Sequence, residues 1–238
     1  MDTQYNHRRA TLFFAGQVDF TETTLPKYIQ EFSTLKLLPS INKGLGVKFT
    51  PKGIEPQEIL SLDLRLLDET LKVSFGPDRV DIVSTKSDED WITFCEETKN
   101  ISNILTNKMG LKYTRLALCA NISFNLNKGL GDIAYGKLTK TSDENPVEWQ
   151  IRKVLRKEFK VSQDMNILTN NVFTLSRNKA VVDSQDISDK INIDFDFNTY
   201  QGISIDDINT ALNDFWIKTS TLIDDGIKHY EHIFREWK

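Results

Sequence analysis

From Ser204 to the end of the chain, apolar residues recur mostly three and four apart: Ile208, Leu212, Phe215, Leu222, Ile227, Tyr230, Ile233 and Trp237. That period predicts a long amphipathic helix. Ser204-Ile205-Asp206-Asp207 supplies its opening cap, and Gly226 is expected to kink it. Its inner half should close a core over Leu212, Phe215 and Leu222. The stripe runs beyond what a small sheet covers, so the outer end around Tyr230, Phe234 and Trp237 is expected to face a partner or a second copy of the chain.

The rest of the sequence must supply the sheet. Leu116, Leu118, Ala120, Ile122 and Phe124 alternate strictly and predict a strand over 113–124. Residues 71–75 and 80–83 flank Gly76-Pro77-Asp78-Arg79, a hairpin signal. Looser alternation predicts strands over 9–20 and near 45–50, 59–67, 164–176, 179–184 and 190–198. Pro26 opens a helix over 25–37. Ser87-Asp88-Glu89-Asp90 caps a second helix through Trp91, Phe94, Cys95, Ile101, Ile104 and Leu105, ending near Gly110. Asn145-Pro146-Val147-Glu148 is expected to open a third, reaching Phe159.

These elements imply one α+β domain over 1–238, with mixed or antiparallel sheets and a long C-terminal helix. The order strand, helix, strands, helix runs through 1–110 and again through 111–238, the layout of a pseudo-repeat. Two short exact repeats, Asn-Lys-Gly-Leu-Gly at 42 and 127 and Asn-Ile-Leu-Thr-Asn at 103 and 166, have different offsets and do not mark one duplication.

A net charge of −4 and a pI near 5.5 make the surface as a whole a poor polyanion binder, so a nucleic-acid role would need a local patch. The first nine residues are polar and lack a signal-peptide core. No apolar run approaches the ~20 residues of a membrane span. Cys95 and Cys119 sit among apolar neighbours as expected buried thiols, and the reading is cytoplasmic.

Several patterns touch chemistry. Asp78 followed by Glu97 and Lys99 matches a loose metal-dependent nuclease pattern, in which two carboxylates hold a cation and the lysine orients water. That arrangement needs adjacent strands, whereas Asp78 is expected in a turn and Glu97 and Lys99 within a helix. Lys43-Gly44-Leu45-Gly46 and Lys128-Gly129-Leu130-Gly131 place lysine before the glycines, unlike a phosphate loop, and read as turns. His229 and His232 lie a helical turn from Asp225 and read as a surface pair. Asp194 and Asp196 share one strand face, read as solvated. No metal or cofactor is implied.

The most suggestive run is Arg152, Lys153, Arg156, Lys157 and Lys160 around Ile151, Val154, Leu155 and Phe159. On a helix these cations form one exposed face, read first as a solvated face balanced by the Asp-rich C-terminal third, and otherwise as a grip for an acidic protein or, second, for nucleic acid.

Val73 to Val80, the Trp91 helix, Arg115-Leu116-Ala117-Leu118, and Ile193-Asp194-Phe195-Asp196 before a helix containing Phe215 together resemble a sporadically distributed bacterial family of similar length. The family has no established activity. Its patchy distribution implies the company of mobile defence or toxin-neutralising genes. The expectation is a non-enzymatic, protein-binding accessory protein of immunity, antitoxin or phage-defence type, with a metal-dependent nuclease or a nucleic-acid binder as alternatives.

Overall fold

The computed structural model describes residues 3–16, 18, 20–51, 53–125, 130–140, 146, 148–160, 165–182, 185–200, 203 and 205–237. Among these residues nine antiparallel strands form one sheet. They are β1 (Thr3–Phe14), β2 (Leu38–Thr50), β3 (Gly53–Arg65), β4 (Leu71–Phe75), β5 (Arg79–Ser84), β6 (Tyr113–Asn125), β7 (Glu148–Lys160), β8 (Asn166–Val182) and β9 (Gln185–Thr199), in the spatial order β2-β3-β4-β5-β1-β6-β9-β8-β7. The helices are α1 (Leu25–Phe32), α2 (Trp91–Asn107), α3 (Leu130–Thr139) and α4 (Ile205–Glu236). The fold is α+β.

Register explains the layering. In antiparallel pairs, directly opposed residues share a face. Leu12 opposes Val80 and Leu116, Leu118 opposes Phe197, and Val73 opposes Ile82 and Leu64; all are buried. The helices cover this face: Tyr28 and Phe32 of α1 meet Phe75, Phe234 of α4 meets Phe124, and Phe215 meets Phe159. The opposite face carries a polar ladder. Asn6 donates to Asn121 and Ser123, Asn121 to Asp194, and Ser123 to Asn192. This is the two-sided pattern of an antiparallel sheet covered once.

The 71–83 hairpin, the 113–124 strand and the capped α2 lie where the sequence places them. Asp90 accepts a hydrogen bond from the Thr93 amide at 2.7 Å, which holds its carboxyl below the usual range. Gly110, at φ +72°, takes the left-handed turn after α2. The first strand ends at Phe14 rather than 20, because Val18 and Phe20 turn inward to pack rather than pair. Helix α1 stops at Phe32; a 3-10 turn follows and Lys36 is left-handed (φ +57°). Helix α3 has no counterpart in the sequence reading, since Gly131 and Gly136 weaken the helical signal of a short segment.

Two expectations are overturned. Residues 148–160 form an edge strand, not a helix. Trp149, Ile151, Leu155 and Phe159 are half-buried on one side at even spacing, and thirteen residues pair with β8 from Glu148–Asn178 to Lys160–Asn166. The proposed cap residues Asn145 and Val147 lie outside the described residues. The second concerns α4. Its inward stripe is Leu212, Phe215, Trp216, Ile223, Ile227 and Phe234, while Leu222 is exposed. Phe234 is 0% exposed, and Tyr230 and Trp237 pack against the same core, so the outer end of the helix belongs to the core and not to a free face.

Gly226 lies within this unbroken helix, where a Cβ would stand 2.6 Å from Cε1 of Phe195. Glycine to alanine in an open helix stabilises by ~1 kcal/mol. Here Gly226→Ala is expected to destabilise by about 1–3 kcal/mol through overpacking, read from urea unfolding midpoints at unchanged m. Ending the chain after Gly226 removes Phe234 and is expected to leave no cooperative transition.

Candidate interaction surfaces

The two edges of the sheet are chemically different. At one edge, β2 and β3 pair over their full thirteen residues, from Leu38–Arg65 to Thr50–Gly53. Only Asp63, Leu64 and Arg65 also pair with β4. The rest of the hairpin is therefore a two-stranded arm projecting beyond the sheet. Pro51 favours the turn that closes it, and Gly53 sits at φ +129°. Asp63 anchors the base, with ion pairs to Lys72 at 3.1 Å and Arg65 at 3.4 Å.

Alternation sorts the arm into two faces. Ile41, Lys43, Leu45, Val47 and Phe49 share one with Ile54, Pro56, Leu60 and, by register opposite Leu45, position 58, so that the uninterrupted apolar stretch is its outer part, Leu45, Val47, Phe49, Ile54 and Pro56. That face continues the helix-covered side of the sheet, since Leu62 and Leu64 on it are fully buried. Outward along the arm the cover ends: Leu45 is 88% exposed, Phe49 77% and Ile54 64%. The opposite face carries Ser40, Asn42, Gly44 and Gly46, with Leu38 and Ile59 exposed nearer the base. The Lys43-Gly44-Leu45-Gly46 motif is thus strand, not a turn. In the second copy of that motif, residues 128 and 129 lie outside the described residues and Gly131 packs on Arg177 in α3.

At the other edge, strand geometry divides the basic run. Arg152, Arg156 and Lys160 fall on the polar face and Lys153 and Lys157 on the helix side, so no single cationic face forms. Arg156 stacks on Tyr200 at 4.3 Å and bonds Asn170. Lys218 of α4 lies over Phe159 and donates to the Lys160 carbonyl.

The nuclease triplet is not assembled. Asp78 is in the β4–β5 turn, where its carbonyl accepts from the Phe14 amide at 2.8 Å. Glu97 pairs with Lys86 at 3.1 Å beyond the far end of β5. Six strand residues separate those ends by about 20 Å. Lys99 instead lines a groove between α2 and α4 with Ile92, Trp216 and Ile217. His232 pairs with Glu236 at 3.2 Å, and His229 lies beside Tyr230. Asp196 accepts from Asn198 and Cys119 on the polar sheet face. Among the described residues no three potential ligand side chains come together as a metal site, and no helix is long and apolar enough to cross a membrane.

Two buried arginines escaped the sequence reading, because nothing in their neighbours marks them as internal. Arg8 projects from β1 beneath α2, donates to the carbonyls of Lys86 (2.7 Å) and Glu89, and stacks on Tyr5 (4.4 Å) and Trp91 (5.3 Å). Beside it is a cleft of about 480 Å³ lined by Asp88, Trp91 and Asp224. Arg177 of β8 grips Asp189 through two bonds (2.8 and 2.6 Å) and reaches Asp132 of α3 at 2.5 Å; these carboxylates raise its pKa, against the opposing effect of burial. The arm did leave a trace in the sequence: Leu45, Val47 and Phe49 alternate just before Pro51 and Gly53.

No protein-family model matches this sequence, and no curated protein sequence matches it.

Cys95 is buried and donates to the Trp216 carbonyl at 3.6 Å, tying α2 to α4. Burial pushes its thiol up to about 11; burial, then the Asp196 carboxylate, pushes Cys119 up to about 12. Near pH 8 neither is a thiolate, so a thiol-specific disulfide reagent should label neither in the folded chain and both after unfolding. Rapid native labelling of either would contradict this placement.

Proposed function

We propose that this chain is a protein-binding protein and that the apolar face of the β2–β3 arm is its gripping surface. One observation carries the reading: Leu45, Val47, Phe49 and Ile54 stand exposed together on one side of a projecting hairpin. Contiguous apolar patches of this kind mark interaction sites, and an uncovered apolar edge hairpin invites aggregation unless something covers it. The basic edge offers a weaker grip, since its cations are split between two faces.

The layout supports the same assignment. Reading 1–110 and 111–238 as a duplicated arrangement makes β2 and β7 counterparts. Each follows the helix after a central strand, and each ends as a sheet edge. The two edges then differ in the property that selects partners, one apolar and projecting, the other cationic and flush.

Photo-crosslinking in cells of the source organism tests the reading. A photoreactive phenylalanine analogue in place of Phe49 should yield a covalent protein adduct. The same analogue in place of Val154, on the basic edge, should not. Adducts at position 154 alone, or at neither position, would reject the assignment.

A further inference from the structure

Resting on the arm as the binding surface, we infer that its occupant is a second copy of this chain, the two arms packing apolar face to apolar face about a twofold axis. Size is the first argument. Ile41, Leu45, Val47, Phe49 and Ile54 expose on the order of 600 Å² between them, most of the ~800 Å² that each partner gives to a stable interface of ordinary size. A face-to-face contact about a twofold axis is isologous, so the same patch serves both partners and the assembly closes at two. Sheets packed in this way sit about 10 Å apart with their inner side chains interdigitated.

Charge is the second argument. Between Leu38 and Arg65 the hairpin carries four cations, Lys43, Lys48, Lys52 and Arg65, against three anions, Glu55, Glu58 and Asp63. An arm so nearly neutral meets its own copy without net repulsion. A strongly acidic or basic partner would find no complementary field there. Pairing along the β2 edge alone would not serve, because it would set both apolar faces on the same side, still in water. Stacking the faces removes them from water and extends the helix-covered layer of each copy across the twofold.

Sedimentation velocity on the purified full-length chain, at micromolar concentrations, reads this directly. The wild type should sediment as a dimer. Leu45→Ser with Phe49→Ser should sediment as a monomer with unchanged circular dichroism, its association weakened about 100-fold or more, as expected for the centre of an interface. Hydrogen exchange on the unaltered chain needs no substitution: amides of β2 and β3 should slow as concentration rises, while those of β5 and β6 should not. A wild-type monomer with concentration-independent exchange, or a dimer that survives both serines, overturns the inference. A monomer whose position 49 still crosslinks to a different protein in cells overturns self-pairing alone and leaves the arm as the binding surface. A monomer with no adduct there overturns both.

Discussion

The pairing of β1 with β6 is the contact on which the molecule depends. It runs from Thr3–Phe124 to Phe14–Tyr113 and is the seam between the strands of the first 110 residues and those that follow. The two strands are far apart in sequence, so closing this ladder carries a large entropic cost before any of its contacts form. Its return is that Leu12, Leu116, Leu118 and Phe124 come onto one buried face, which joins the strands under α1 and α2 to those under α4.

Everything packed on the seam's apolar face follows the register it sets. The aromatic contacts of Phe159 with Phe215, of Phe195 with Tyr230 and of Phe124 with Phe234 lock α4 along its length. At Gly226 the helix comes close enough to Phe195 to exclude a side chain. Arg8 carries the same logic to α2, since one buried guanidinium satisfies two carbonyls at that helix's approach and stacks on two rings. Removing only one partner of such a buried charge leaves the other uncompensated, which is why these contacts fix position so firmly. Arg177 plays the equivalent part at the far end, holding α3 to β8 through Asp132.

The arm is the exception to this economy. Its apolar face is continuous with the core face of the sheet, yet no helix shields Leu45 or Phe49. A lone two-stranded ribbon gains little stability from its own pairing. In the function proposed above, a contact made outside the chain supplies what the arm's own pairing lacks. The basic edge is finished differently, with Arg156 laid on Tyr200 and Lys218 bridging back to Lys160, so its cations are partly committed within the fold.

The amino-acid sequence by itself determined the local elements whose signals are local: the 71–83 hairpin through its turn, the Asp90-capped α2, the strictly alternating β6, and the amphipathic period of α4. It also left Leu45, Val47 and Phe49 alternating in plain view. Only the tertiary structure decided the rest. Residues 148–160 fit a helical and an extended pattern almost equally, and the choice was made by β8, which offers a ladder along all thirteen residues. Whether Phe234 faced solvent or core depended on Phe124, more than a hundred positions away, and whether Asp78 and Glu97 met depended on β5, which sets the turn holding Asp78 at one end and the Lys86 that pairs with Glu97 of α2 beyond the other. The physical reason is the same in each case. Periodicity records which side of an element is apolar, but only long-range pairing decides what that side meets, and whether anything in the chain is left to cover it.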